Sequence, residues 1–193
     1  MIVMKFGGTS VEDARGMRSA IELVRRERER QPLVVLSAVA GCTDTLLRSA
    51  ERSVEGDLQE AHRLLNDLFD RHITILQNLI EDRPTAQQLI LSFKHQFDDL
   101  RNLCQGIAML GETTPRSLDT LASVGERLSS RIVAEAMKLT DERVAYLDAR
   151  KFMITDDRFT SAAPLFNLIE QKSKEYLTPL LEQIGRASCR ERV

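Results

Sequence analysis

The segment KFGGTS, which follows the first four residues, combines residue types that bind phosphate. Gly7 and Gly8 lie between a short apolar segment and a helical one, and glycines let the backbone approach a ligand closely. The start of the following helix offers unpaired amides and the positive end of a dipole, which favour an anion. Lys5 adds a full charge, and the hydroxyls of Thr9 and Ser10 add short donors. This set predicts a site for a phosphoryl group.

The spacing of this motif excludes two familiar phosphate loops. In GxxxxGK[ST] the lysine comes after the glycines, whereas Lys5 precedes them, and the GxGxxG spacing is absent. A structural interpretation remains open, in which the two glycines only join a strand to a helix and Lys5 packs along the sheet edge with its charge in solvent. The motif alone does not decide between these interpretations.

The elements that must position this motif begin with a strand at residues 2–6 and a helix from residue 11 onward. The run PLVVLSAVAG then predicts a parallel strand that is covered on both faces. The helix between them ends in RRERER, whose alternating charges indicate a solvated helix end rather than a nucleic-acid patch. Together these segments predict a strand–helix–strand start.

Further helices are predicted at residues 57–80 and 85–103, with Gly56 before the first and Pro84 between them. Their apolar positions recur every three or four residues, which indicates a structural appendage without convergent chemistry. A long helix at 117–138, a third strand at 143–147 and a helix at 163–181 complete the prediction.

The composition is that of an ordinary globular protein. The 193 residues are 42% hydrophobic and 29% charged, with a net charge of −2, so we expect no nucleic-acid partner. No apolar run reaches the roughly 20 residues needed to span a membrane, and no targeting segment precedes the first strand, so we expect a cytoplasmic protein. Neither the cysteines nor the histidines have metal-site spacing; they are Cys42, Cys104, Cys189, His62, His72 and His95.

Four blocks occur in order along the chain: KFGGTSV from residue 5, VVLSAVAGCTDTLL from 34, SVGERLSSRIVAEAM from 123 and LDARKFMITDDRF from 147. Together they resemble the N-terminal part of the catalytic domain of aspartate kinases, within the amino acid kinase family. The resemblance covers residues 1–183. It implies an α/β fold, a three-layer α/β/α sandwich of the carbamate-kinase-like type, truncated and with a helical excursion at 57–110.

The resemblance implies transfer of the γ-phosphoryl group of ATP, with Mg²⁺, to the β-carboxylate of L-aspartate, the first step towards lysine, threonine and methionine. A carboxylate is already ionised at neutral pH, so its oxygen needs no general base. By resemblance, Lys5 is the catalytic residue that contacts the transferring group. Gly7, Gly8 and Ser10 then surround the phosphates of the nucleotide.

The resemblance also implies the aspartate contacts, which are Ser37, Ala38, Thr43 and Glu126. Glu126 would hold the substrate amino group or orient Lys5; alternatively it is an exposed helix carboxylate paired with an arginine. Cys42, beside these residues, is expected to be an ordinary apolar residue and not a nucleophile.

Asp156 and Asp157 could form a metal pair, but adjacent aspartates before a turn usually bond local amides, so we expect a loop role and no protein ligand for a metal.

The resemblance further implies glycine-rich and nucleotide-binding segments that this chain does not contain, so we expect the chain alone not to catalyse. Residues 184–193 resemble a translated sequencing-adapter oligonucleotide and are predicted to be a non-native tail. Two other hypotheses remain open: a glutamate-kinase-like member of the family, and a noncatalytic fragment that binds aspartate or phosphate. The complete enzyme is expected to be a homo-oligomer.

Overall fold

The computed structural model describes residues 1–140 and 143–182. Strands β1 (Ile2–Phe6) and β2 (Pro32–Leu36) pair in parallel, with their last residues, Phe6 and Leu36, opposite each other. Helix α1 (Ala14–Arg26) connects them and buries its apolar stripe. The predicted strand–helix–strand start is therefore confirmed.

Further helices follow in the order α2 (Cys42–Val54), α3 (Leu58–Leu79), α4 (Arg83–Leu110), α5 (Pro115–Ala122), α6 (Val124–Lys138) and α7 (Phe166–Tyr176). The starts of α3, α4 and α5 are capped by the side chains of Asp57, Asp82 and Thr114. The Asp57 carboxylate accepts a hydrogen bond from the backbone N–H of Glu60 at 3.1 Å, as predicted for α3. Gly56 has a φ of 79°, which explains the break between α2 and α3.

Three predicted helix boundaries are wrong. Helix α4 begins at Arg83 because Asp82 caps it and Pro84 is tolerated in a first turn, and it continues to Leu110. The long helix expected at 117–138 is two helices, α5 and α6, which meet at Ser123. The helix expected at 163–181 begins later, at Phe166, and α7 ends at Tyr176; after a turn at Leu177, residues 178–182 are helical again.

The third strand expected at residues 143–147 is not formed. Within 1–140 and 143–182, strand pairing is limited to β1 with β2 and a single bridge between Thr155 and Pro164. A strand needs a neighbouring strand to satisfy its backbone groups, and the sheet in the described ranges consists of β1 and β2. Its Tyr146 ring instead lies under the Arg131 guanidinium of α6, 5.0 Å from the ring centroid.

Helices α3 and α4 belong to the main hydrophobic core and are not an appendage. Leu65 of α3 and the α4 residues Phe93 and Phe97 are fully buried in the cluster that also contains Met17 of α1 and Leu128 of α6. The helical excursion therefore helps to hold the elements that carry the first motif.

The sheet is not covered on both faces within the described part of the chain. Val3 of β1 is 59% exposed and Val35 of β2 is 43% exposed, on the face that also carries Lys5. The expectation that β2 is covered on both faces is therefore wrong, because the face that carries Val35 is exposed.

The block that follows α6 folds into turns. The Asp156 carboxylate accepts hydrogen bonds from the backbone N–H groups of Arg158, at 3.2 Å, and Ala163, at 3.0 Å, which confirms the loop role predicted for this aspartate. No helix in the described ranges is long and apolar enough to span a bilayer. The predicted tail at 184–193 lies outside the described residues.

Candidate active site

The first motif and the segment after β2 lie side by side at the carboxyl end of the sheet. Because β1 and β2 are parallel neighbours, Gly7 and Ser37 leave the sheet at the same edge. The backbone N–H of Ser37 donates to the carbonyl of Phe6 at 3.0 Å, which extends the pairing past β2. The N–H of Ser10 donates to the carbonyl of Gly7 at 3.0 Å and closes a turn that leads into a short 3₁₀ helix.

Gly8 is the point of closest approach between these two loops. A Cβ atom added there would lie 2.9 Å from the carbonyl oxygen of Ala38 and 3.5 Å from the Cα of Ala40. Gly7 differs, since a Cβ added there meets no atom within 4 Å and its φ of −78° suits any residue. Gly8 therefore allows the loops to touch, whereas Gly7 leaves open space beside them.

The first turn of α6 packs onto the loop that follows β2. A Cβ added at Gly125 would lie 2.6 Å from the Cβ of Ala38 and 2.9 Å from the Sγ of Cys42. One turn later, the buried hydroxyl of Ser129 donates to the carbonyl of Ser37 at 2.7 Å. This packing brings Glu126, beside Gly125, to the same region as the loops.

Cys42 opens α2 and is fully buried. Burial raises the pKa of its thiol to about 12, the negative charge of Glu126 acts in the same direction, and the positive charge of Arg71 opposes them. The thiol therefore stays protonated at neutral pH, as expected for a residue that packs rather than attacks.

Lys5 and Glu126 are charged side chains at the rim of this region, and both are exposed. Among residues 1–140 and 143–182, neither side chain forms an ion pair, including the arginine pair considered for Glu126. Thr43 is half-buried in the first turn of α2. The first turn of a helix generally offers amides that can stabilise a negative group, although the N–H of Cys42 in α2 already donates to the carbonyl of Val39 at 2.9 Å.

Two contacts in this region could not be read from residue type. Ser129 lies inside a helix, where serine gives no signal of a long-range bond, yet it holds the backbone of Ser37. Gly16 of α1 lies against the carbonyl oxygen of Ser10, and a Cβ added there would be 2.8 Å from it. The glycine at position 16 therefore permits α1 to pack against the first loop.

The chain resembles known proteins over nearly all of its length. A model of the amino acid kinase family matches residues 1–186. Aspartokinase 1, chloroplastic, of Arabidopsis thaliana is 35% identical over 82% of this chain and 27% of its own length. Lysine-sensitive aspartokinase 3 of Escherichia coli is 30% identical over 95% of this chain and 38% of its own length.

Solved structures give the same result. Escherichia coli aspartokinase III in complex with aspartate and ADP matches with a TM-score of 0.82 and 30% identity, over 95% of this chain and 39% of that one. The complex of aspartokinase III with lysine and aspartate matches with a TM-score of 0.81.

These matches confirm the α/β fold expected from the resemblance. The chain spans between a quarter and two fifths of the length of these relatives. The family match nevertheless includes both loops and the first turn of α6, and the chain belongs to the amino acid kinase family.

Proposed function

We propose that the protein to which this chain belongs phosphorylates the β-carboxylate of L-aspartate with ATP, and that this chain is the N-terminal part of its catalytic domain. The observation that carries the proposal is the convergence of three segments. The loop after β1, the loop after β2 and the first turn of α6 meet at Gly8, Ala38 and Gly125. The aspartokinase relatives support it further.

In this proposal the loop after β1 binds phosphate. Gly7 leaves space for a phosphate, and the backbone around Gly8 and the hydroxyl of Ser10 supply donors. Lys5, exposed at the end of β1, neutralises charge on the transferring phosphoryl group. Such neutralisation acts most strongly on charge that develops in the transition state.

The loop after β2 and the helix starts beside it bind aspartate. Ser37, Ala38 and Thr43 form one wall, and Glu126 binds the amino group of the substrate as a negative partner. The loop after β2 and the start of α6 are fixed against each other, since Gly125 packs against Ala38 and the Ser129 hydroxyl donates to the carbonyl of Ser37. The substrate carboxylate then faces the phosphate loop.

The reaction requires positioning more than proton transfer. The aspartate β-carboxylate is ionised at neutral pH, and one of its oxygens attacks the γ-phosphorus of ATP as the bond to the ADP oxygen breaks. Holding both reactants in line supplies much of the rate. The buried Cys42 takes no part, because its thiol stays protonated.

In this proposal the phosphates of ATP lie beside Gly7, where an added Cβ would meet no atom within 4 Å. The nucleotide would carry Mg²⁺ on its phosphates, as is usual for this ion. Within the described ranges, no cluster of three or more His, Cys, Asp or Glu side chains could hold a metal. The chemistry of Mg²⁺ would be to neutralise phosphate charge.

The wider role follows from the same proposal. Aspartyl phosphate would enter the synthesis of lysine, threonine and methionine in the cytoplasm, with no nucleic-acid or membrane partner. The assignment of a homo-oligomer rests on the family resemblance alone.

The test uses the protein expressed from the complete gene. It is incubated with ATP and either L-aspartate or L-glutamate, and acyl phosphate is trapped with hydroxylamine. We expect hydroxamate from L-aspartate only. Product from L-glutamate in its place would identify a glutamate-kinase-like member, and product from neither would overturn the proposal.

For the 193-residue chain by itself we propose binding without turnover, because it spans only 39% of the aspartokinase III structure. Isothermal titration with L-aspartate and with ATP, each alone, tests this. Binding of either one without hydroxamate formation is expected; hydroxamate formed by the chain alone would contradict it.

A further inference from the structure

Arg71 of α3 differs from Arg63, the other arginine of its helix, because its guanidinium donates hydrogen bonds to residues outside the helix. One of its terminal nitrogens donates to the carbonyl oxygen of Ala40 at 2.8 Å, and the other donates to the carbonyl oxygen of Glu12 at 3.2 Å. Arg63, two turns earlier on α3, bonds only to Glu60 and Asp67 of the same helix. Arg71 thus connects α3 with two distant segments.

The two acceptors belong to the two loops of the candidate site. Glu12 directly follows the 3₁₀ helix Gly8–Val11 of the first loop. Ala40 lies in the second loop, directly before Gly41, whose φ of 75° starts the turn into α2. One planar guanidinium therefore holds one carbonyl from each loop, a geometry that suits its fixed fork of donors.

The helix that carries Arg71 is packed into the hydrophobic core. The next residue, His72, is fully buried, and its Nδ1 lies 2.8 Å from the carbonyl oxygen of Leu68. Ile75 and Leu76, one turn later, are also buried in the core. The guanidinium is therefore presented from a fixed base, and its two bonds set the position of one loop relative to the other.

We propose that Arg71 is a positioning residue that fixes the phosphate loop against the aspartate loop. This inference rests on the proposed function, because only then does the distance between the loops set the distance between the two reactants. A misplacement of about 1 Å can reduce catalysis by about a hundredfold. Arg71 acts through the two backbones and does not touch either substrate.

The test compares two variants of the protein expressed from the complete gene, R71M and R63M. Both substitutions remove one guanidinium from α3 and keep most of the alkyl stem, but R63M breaks only bonds within the helix. With R71M we expect the KM for L-aspartate to rise and kcat to fall, so that kcat/KM decreases by about tenfold or more. The assay is run below the melting temperature of the variant. R63M should change neither by more than about twofold.

A third variant separates positioning from folding. R71K keeps the charge, but its ammonium group can donate a short hydrogen bond to only one of the two carbonyls. We therefore expect kinetic constants between those of wild type and R71M. If R71M lowers the melting temperature but the folded protein keeps the wild-type KM and kcat, Arg71 is only a structural tie and the proposal is overturned. R71K supplies the same comparison if R71M does not fold.

Hydrogen exchange provides a readout that does not depend on activity. Peptides covering residues 7–12 and 37–42 should exchange faster in R71M than in R63M, because the carbonyl bonds that couple them are lost. Unchanged exchange in both peptides overturns the proposal. If wild type phosphorylates neither amino acid while R71M accelerates exchange in both, the proposed function fails and the coupling of the loops by Arg71 stands.

Discussion

At the scale of single residues, Gly7 and Gly8 are neighbours with different surroundings. Gly8 faces the backbone of the second loop, where a methyl group would lie 2.9 Å from the carbonyl oxygen of Ala38, and a backbone atom cannot move as a flexible side chain can. Gly7 faces open space. The sequence shows two identical residues, and only the structure distinguishes their roles.

This difference predicts opposite effects for two matched substitutions. Gly8→Ala should lower the free energy of unfolding by about 1–3 kcal/mol, the usual cost of overpacking. Gly7→Ala should leave it within about 0.5 kcal/mol, while weakening ATP binding because the methyl group enters the proposed phosphate space. Urea denaturation measures the first effect and isothermal titration the second. Equal loss of stability in both variants would show that the loops do not touch as described.

At the scale of elements, α6 is attached to the second loop by packing and by one hydrogen bond. The Ser129 hydroxyl reaches the carbonyl of Ser37 across 92 positions of sequence. The neighbouring Ser130 bonds only within its own helix, to Glu126 and Arg127. The two serines therefore form a natural pair for comparison.

We expect Ser129→Ala to lower the free energy of unfolding by about 1–3 kcal/mol, because it leaves the carbonyl of Ser37 without its partner. Ser130→Ala should change it by less than about 0.5 kcal/mol. In the protein from the complete gene, Ser129→Ala should also raise the KM for L-aspartate, whereas Ser130→Ala should not. Chemical denaturation and steady-state kinetics give both values, and equal effects of the two substitutions would contradict the tie.

The elements also show what the sequence can predict. The first strand, α1 and β2 follow from short apolar runs separated by a regular helical stripe, and they occur in the expected order. Their bounds differ, since α1 begins at Ala14, after the cap at Asp13, and β2 ends at Leu36. The break at Ser123 could not be predicted, because the apolar periodicity continues across it. The bonds of Arg71 were also hidden, since an arginine on a helix surface usually forms local ion pairs.

At the scale of the whole molecule, the core contains a buried histidine. Burial lowers the pKa of His72 below its ordinary value of 6.5, the hydrogen bond with Leu68 opposes this, and the charge of Arg71 lowers it further. As pH falls below 6.5, the unfolded chain takes up a proton before the folded chain does. The free energy of unfolding is therefore unaffected by His72 protonation above that pH and decreases as the pH falls below it.

We therefore expect wild type to lose more stability than His72→Leu as the pH falls from about 7.5 to about 5.5. The difference in slope should not exceed about 1.4 kcal/mol per pH unit, the value for one proton. Urea denaturation at several pH values measures these slopes. Parallel slopes for wild type and His72→Leu would contradict the account of the core.

If the first loop binds the transferring phosphoryl group, loss of the Lys5 charge should slow the reaction. The measurement is the rate of aspartyl hydroxamate formation by the protein from the complete gene, with Lys5→Met compared with Lys94→Met. Both lysines are exposed, and Lys94 lies on α4. We predict that Lys5→Met lowers kcat by about a hundredfold or more at unchanged melting temperature, while Lys94→Met keeps the wild-type rate. A Lys5→Met protein with the wild-type rate would contradict the account.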